Sequence, residues 1–189
     1  VRFRRRISVI GLALGLGLTV AQAGLGSLPI PPKLRTADHI PAEQLLTDAQ
    51  QLLPAGAFLG PLLDARYAVI DHAWLEEKFV PFYRLAVTRL QTIASREDGA
   101  SDCDNYGMFL RQMVGLAGIV GRTDEPTAAQ MIVLQEHSFS GVRRTRERHC
   151  VGLFLTDRGW FVLEPQNAAQ LTPLGEYANR GTIRYITFH

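Results

Sequence analysis

Ser101-Asp102-Cys103-Asp104-Asn105-Tyr106 is the stretch on which the reading of this chain turns. It has the form of a capped helix start with a cysteine in the first turn. Ser101 or Asp102 supplies an oxygen for one of the unbonded N–H groups at such a start. Behind it, Tyr106, Phe109, Leu110, Met113 and Leu116 recur at the three-and-four spacing of one apolar helix face. Cys103 stands on the leading edge of that face. A thiol there feels the positive end of the helix dipole, which favours thiolate. A buried, inert cysteine is the plainer reading of the same residue, and the downstream sequence is needed to weigh the two.

Upstream the chain reads as helical. Pro41 to Leu53 opens with proline at a good first-turn position and puts Leu45, Leu46, Ala49 and Leu53 on one face. Pro54 to Pro61 is a Gly/Pro-containing break. Asp71 to Ala94 keeps helical spacing through Leu75, Phe79, Phe82, Ala86, Leu90 and Ile93, with a kink or division expected at Pro81. Ser95 to Ala100 is a polar loop, and the cysteine helix runs to about Gly118.

Downstream the period changes. Met131 to Gln135 is β-prone, and Phe139 to Arg148 has the composition of a loop carrying Arg143, Arg144, Arg146 and Arg148. His149 to Thr156 and Trp160 to Glu164 form two β-prone runs around Asp157-Arg158-Gly159, a hairpin signal. Thr182 to Phe188 makes a further strand. Helices first and an antiparallel sheet second indicate an α+β fold, with the cysteine-bearing helix packed on the sheet.

The first residues have the pattern of a targeting signal. Arg2, Arg4, Arg5 and Arg6 precede the uncharged apolar run Ile7 to Val20, and Ala21-Gln22-Ala23 offers a small-x-small cleavage pattern. The expected organisation is a signal peptide at 1–23, an irregular Gly/Pro-rich arm at 24–40 and one domain at 41–189. The apolar run falls short of the roughly 20 residues of a membrane span, with an uncleaved anchor as the alternative. Export implies a periplasmic or secreted protein. Removing residues 1–23 takes four arginines with it, turning the formal charge of +2 into −2 over the remaining 166 residues. Net charge therefore gives no support to a nucleic-acid partner. No later stretch is apolar enough to span a bilayer, since Met108 to Val120 is broken by Arg111.

A hairpin turning at Arg158 pairs residues whose numbers sum to about 316. That sets His149 opposite Gln166 or Asn167, with Glu164 a diagonal neighbour within reach of a long side chain. Pro165 ends regular pairing there. A helix-borne cysteine, a strand-borne histidine and a polar residue to orient the ring form the arrangement that a cysteine nucleophile needs. From spacing alone the orienting group is a carboxylate or an amide: Glu164, Gln166 or Asn167. Export also allows Cys103 and Cys150 to pair as a disulfide. Strand alternation gives the other outcome: with His149 toward Cys103, Cys150 faces away.

Asp102-Cys103-Asp104-Asn105-Tyr106, then His149 leading an apolar strand, then Trp160-Phe161-Val162-Leu163-Glu164-Pro165-Gln166, resembles the transglutaminase-like and papain-like cysteine peptidase superfamily. The closest likeness is to the peptidase-like C-terminal domain of fungal agglutinins and its bacterial relatives. It covers about residues 65 to 188 in three short blocks. The resemblance implies Cys103 as nucleophile, His149 as general base and acid, Glu164 as orienter, and a peptide or protein substrate. The chain departs from the pattern in having Cys150 after the histidine and no glutamine just before Cys103. The Cys103 N–H remains as an oxyanion donor, and Trp74 is an indole donor by analogy with transglutaminases or else a core residue.

No cofactor is required by this chemistry. Asp102, Asp104 and Glu164 are nonetheless an oxygen set that calcium accepts, and some relatives are thought to need such a metal. The arginines at 143–148 are a solvated loop or an anion-recognising rim. His137 reads as an ordinary satisfied or exposed histidine, and His39, His72 and His189 carry no pattern. Rival functions are a peptidoglycan amidase, a transglutaminase-type acyl transferase, and a non-catalytic, disulfide-braced binding module.

Overall fold

The computed structural model describes residues 29–94, 103–123, 128–139, 143–168 and 170–188, and the body it defines begins at Pro31. It is a mixed α+β structure with a curled, mixed sheet. The expected signal peptide, the cap residues Ser101 and Asp102, and His189 lie outside the described residues. Among the described residues no helix is long and apolar enough to cross a membrane.

The arm expected at 24–40 gives way to structure before its end. Thr36–Pro41 is strand β1, paired antiparallel with β3 (Arg66–Ile70). Its sequence hides this because only Ile40 of the six is buried. An edge strand held by backbone bonds needs no apolar alternation. Leu34, just before it, is buried, and its N–H bonds the Ala117 carbonyl at 3.0 Å. Pro41 occupies the N-cap position, and helix α1 runs Ala42–Leu52, burying Leu45 and Ala49. The break that follows holds the two-residue strand β2 (Phe58–Leu59).

Asp71 caps the next helical region, its carboxylate accepting from the Trp74 N–H at 2.9 Å. Helix α2 (His72–Trp74) passes through a π-helical turn, Leu75–Phe79, into helix α3 (Val80–Ala94). The wide turn is the form taken by the kink expected at Pro81. Proline has no N–H for the Glu77 carbonyl, and its ring would crowd that carbonyl in a regular α-helix. An i→i−5 bond from Val80 N–H to Leu75 O relieves both problems. The extra residue also rotates the buried face. Tyr83 is wholly buried, whereas Phe82, expected in that role, is half-buried.

Helix α4 (Cys103–Gly121) is the cysteine helix. Strands β4 (Ala128–Phe139) and β5 (Arg143–Thr156) follow as one long antiparallel hairpin, in unbroken register from Ala128↔Phe154 to Phe139↔Arg143. The loop expected over 139–148 is thus mostly strand, because ladder bonds are indifferent to the charge of the side chains they carry. β6 (Gly159–Leu163) pairs with β5 from Thr156↔Gly159 to Gly152↔Leu163, and β7 (Leu171–Pro173) pairs with β6. β8 (Ile183–Phe188) lies against β4. The sheet is not purely antiparallel as expected: β3 meets β5, and β2 meets β8, in parallel.

Both faces of the sheet are covered. Leu110, Met113, Val114 and Ala117 of α4 and Phe79, Tyr83 and Val87 pack with Phe154 and Leu163 on one face. Leu45 and Ala49 of α1 pack with Val133, Val151, Leu153 and Ile186 on the other. This explains why 150–154, Cys-Val-Gly-Leu-Phe, is buried without a break. The closest approach is at Gly152, where an added Cβ would lie 2.3 Å from Cδ2 of Leu110. Leu110 is itself 1% exposed and has nowhere to swing. Gly152→Ala is expected to destabilise the fold by about 1–3 kcal/mol, the range for overpacking. Urea unfolding checks this, and Leu110→Ala added to Gly152→Ala should cost less than the two changes separately.

Candidate active site

Cys103 is the first residue of α4 and is half-buried. Its Sγ lies 3.9 Å from the carbonyl oxygen of Arg148. That carbonyl belongs to the peptide unit joining Arg148 to His149. Helix and strand therefore bring the sulfur to the backbone at the threshold of the histidine. The thiol's hydrogen-bond contact is this carbonyl rather than the imidazole.

His149 is paired with Val133 in the ladder, and its side chain is 12% exposed. Nε2 lies 2.6 Å from Oε2 of Glu164. An ionised carboxylate can only accept, so Nε2 is the donor in this bond, and in the neutral ring Nδ1 then keeps its lone pair. Of the three candidates for orienting the ring, Glu164 is the one that meets it. Gln166 contributes its backbone N–H to the other carboxylate oxygen, at 3.4 Å, and Asn167 is exposed. Residues paired across the hairpin sum to 315 rather than 316, because the two-residue loop is Asp157-Arg158. Continued past Leu163, this register sets Gln166 opposite His149 and makes Glu164 its diagonal neighbour.

β6 ends at Leu163, so no ladder holds the segment that carries Glu164. Glu164 to Ala168 instead forms a turn closed by Ala168 N–H to Glu164 O at 2.8 Å, with Ala168 at φ 45°. Helix α3 fixes this turn by its carbonyls. Tyr83 Oη donates to Pro165 O at 2.9 Å, Gln91 Nε2 to Gln166 O at 2.7 Å and Arg84 Nε to Ala168 O at 3.0 Å. The Tyr83 hydroxyl also lies 3.2 Å from the Tyr106 carbonyl, in the first turn of α4. Burial pushes the Tyr83 phenol far above its ordinary range, and Glu164, Tyr106 and Cys150 act in the same sense. It stays protonated and remains a donor. Sequence reasoning passed over Tyr83, Arg84 and Gln91. The available signal was a tyrosine four residues after Phe79 on an apolar helix, since a buried phenol must find an acceptor.

Cys150 departs from expectation. It is wholly buried, and alternation places it with Gly152 and Phe154 on the face that α4 covers. The residue after the histidine therefore packs beneath the cysteine helix rather than away from it. The sulfur meets β5 at its backbone edge for the same reason. No disulfide joins Cys103 and Cys150.

The remaining candidates fall elsewhere. Trp74 is 7% exposed and stacks on Phe79 with ring centroids 5.4 Å apart. It follows β3, which meets β5 at Thr156, seven residues beyond His149. Seven strand residues span about 23 Å, so the indole lies at the far end of the strand and cannot serve an oxyanion near Cys103. His39 is exposed on β1, and His72 is buried against Phe161 at 4.4 Å. His137 sits in β4 opposite Thr145. Arg148 is exposed, while the side chains of Arg143, Arg144 and Arg146 lie outside the described residues. Among the described residues no group of three His, Cys, Asp or Glu side chains could hold a metal ion. Asp102, one of the calcium candidates, is outside them; Asp104 is exposed, and both oxygens of Glu164 are engaged.

Comparison with models of known families, with curated proteins and with solved structures finds no match to this chain.

The two thiols differ sharply in access. Iodoacetamide added to the native protein is expected to alkylate Cys103 and to spare Cys150 until the protein is unfolded. Peptide mass mapping with and without denaturant checks this.

Proposed function

We propose that this chain is an exported cysteine hydrolase of papain-like or transglutaminase-like type, acting on amide bonds of a peptide or protein. The observation that carries the reading is the convergence on one peptide unit. Cys103 Sγ contacts the Arg148 carbonyl, and the adjoining His149 holds Glu164 at 2.6 Å through Nε2. The Cys-His-Glu order and the short blocks around each residue support the same superfamily.

The chemistry follows from the ring's protonation. Glu164 keeps the Nε2 proton, so Nδ1 is the basic nitrogen. Because α4 covers the Cys150 side of β5, transfer of the thiol proton to Nδ1 requires the Cys103 side chain to turn past the Arg148 carbonyl, around the strand edge that β6 leaves open. The sulfur then attacks the amide carbon, and the oxyanion that forms is met by the Cys103 N–H at the helix start, while the Asn105 N–H is held by the Asp104 carboxylate. His149 returns the proton to the departing amine, leaving a thioester on Cys103. Water, activated by the same nitrogen, releases the acid and restores the thiol. An amine in place of water would make the outcome transamidation.

Cys103→Ala is expected to abolish both turnover and labelling by a thiol-directed electrophile while leaving the melting temperature close to that of the parent. His149→Ala should lower the rate by about 10²–10⁴-fold, the usual scale for losing a general base. A panel of unfolded protein, peptidoglycan peptides and amine acceptors identifies the substrate class. Persisting turnover in the Cys103→Ala protein overturns the reading.

A further inference from the structure

We propose that Tyr83 is a positioning residue that locks the Glu164 turn to the first turn of the cysteine helix and so sets the alignment of the Cys103–His149–Glu164 group. The proposal rests on the acyl-transfer reading above and adds a residue to it.

One buried hydroxyl lies within hydrogen-bond distance of two carbonyls from distant parts of the chain, Tyr106 at 3.2 Å and Pro165 at 2.9 Å. Tyr106 is three residues, nearly one helical turn, beyond Cys103, and Pro165 directly follows Glu164. Tyr83 itself is 0% exposed, so bulk water does not reach its hydroxyl or compete for these carbonyls. Ladder bonding has already stopped at Leu163. The location of the Glu164 carboxylate therefore depends on what holds the turn, and α3 supplies it. Gln91 adds a second clamp one residue along, on the Gln166 carbonyl, from an exposed side chain. A phenylalanine at 83 would keep the ring packed against Phe79 and Phe109. It would leave the Pro165 carbonyl buried with its donor gone. The turn would then settle differently, and the 2.6 Å bond to His149 would settle with it.

The experiment is the pH profile of Cys103 alkylation by iodoacetamide, measured on the full chain for the parent, Tyr83→Phe, Gln91→Ala and Glu164→Gln, with melting temperatures alongside. Tyr83→Phe is expected to slow alkylation at pH 7 by about fivefold or more, the scale of one hydrogen bond. Its pH midpoint should move up, toward that of Glu164→Gln. Gln91→Ala should move the profile in the same direction by less. A loss of melting temperature in Tyr83→Phe with an unmoved profile overturns the proposal, since it would mark a merely structural role. If Glu164→Gln is displaced while Tyr83→Phe superimposes on the parent, only the role of Tyr83 falls. If Glu164→Gln also superimposes, the Cys-His-Glu reading falls and takes Tyr83 with it. Should Tyr83→Phe not fold, the displacement or superposition of Gln91→Ala decides by the same criterion.

Discussion

The close approach of Leu110 to Gly152 sets the geometry of everything around the cysteine. At that point a helix lies so near a strand that a single added carbon would overlap a core side chain. Seven residues back along α4 from Leu110, about 10 Å at helical rise, is Cys103. Four residues back along β5 from Gly152, about 13 Å at strand rise, is Arg148. One contact thus meters out two unequal lengths of chain that end beside each other. Any looser packing at Gly152 would let the helix slide or tilt, and the sulfur would lose its place at the Arg148 carbonyl.

The second constraint is the two-sided cover of the sheet. Because α3 and α4 lie on one face and α1 on the other, β5 can be apolar at consecutive positions and still be central. The cost falls at its open end. Past Leu163 there is no β6 to pair with, and polar backbone emerges next to a buried core. Tyr83, Arg84 and Gln91 satisfy three of those carbonyls from α3. The same bonds that solve the problem of a sheet ending also hold Glu164 within reach of His149.

Several features were legible in the sequence because they depend on local rules. The cysteine helix shows in its apolar face and the β5–β6 hairpin in its turn residues. The nearness of the Glu164 to Asn167 segment to His149 follows from counting across a turn, but which of its side chains shares the histidine's face depends on the register to the residue. Other features were hidden. β1 has too few buried residues to alternate, and the arginine-rich half of β5 has the composition of a loop. Cys150 was assigned to the wrong face because the helix was assumed to lie on the histidine's side of the strand. The role of Tyr83 depended on the wide turn before Pro81, which rotates the helix behind it.

Local pattern is enough to give the α+β order, the helix around Cys103, and a hairpin that carries Glu164, Gln166 and Asn167 toward His149. All three follow from periodicity and turn length, which act over a few neighbouring residues. Long-range packing settles which face of β5 the helix covers, where Cys150 goes, which of the three residues meets the imidazole, and which side chains hold the turn after Leu163. Those outcomes depend on close packing at one glycine and on buried carbonyls seeking donors across eighty residues of chain, and no local pattern encodes either.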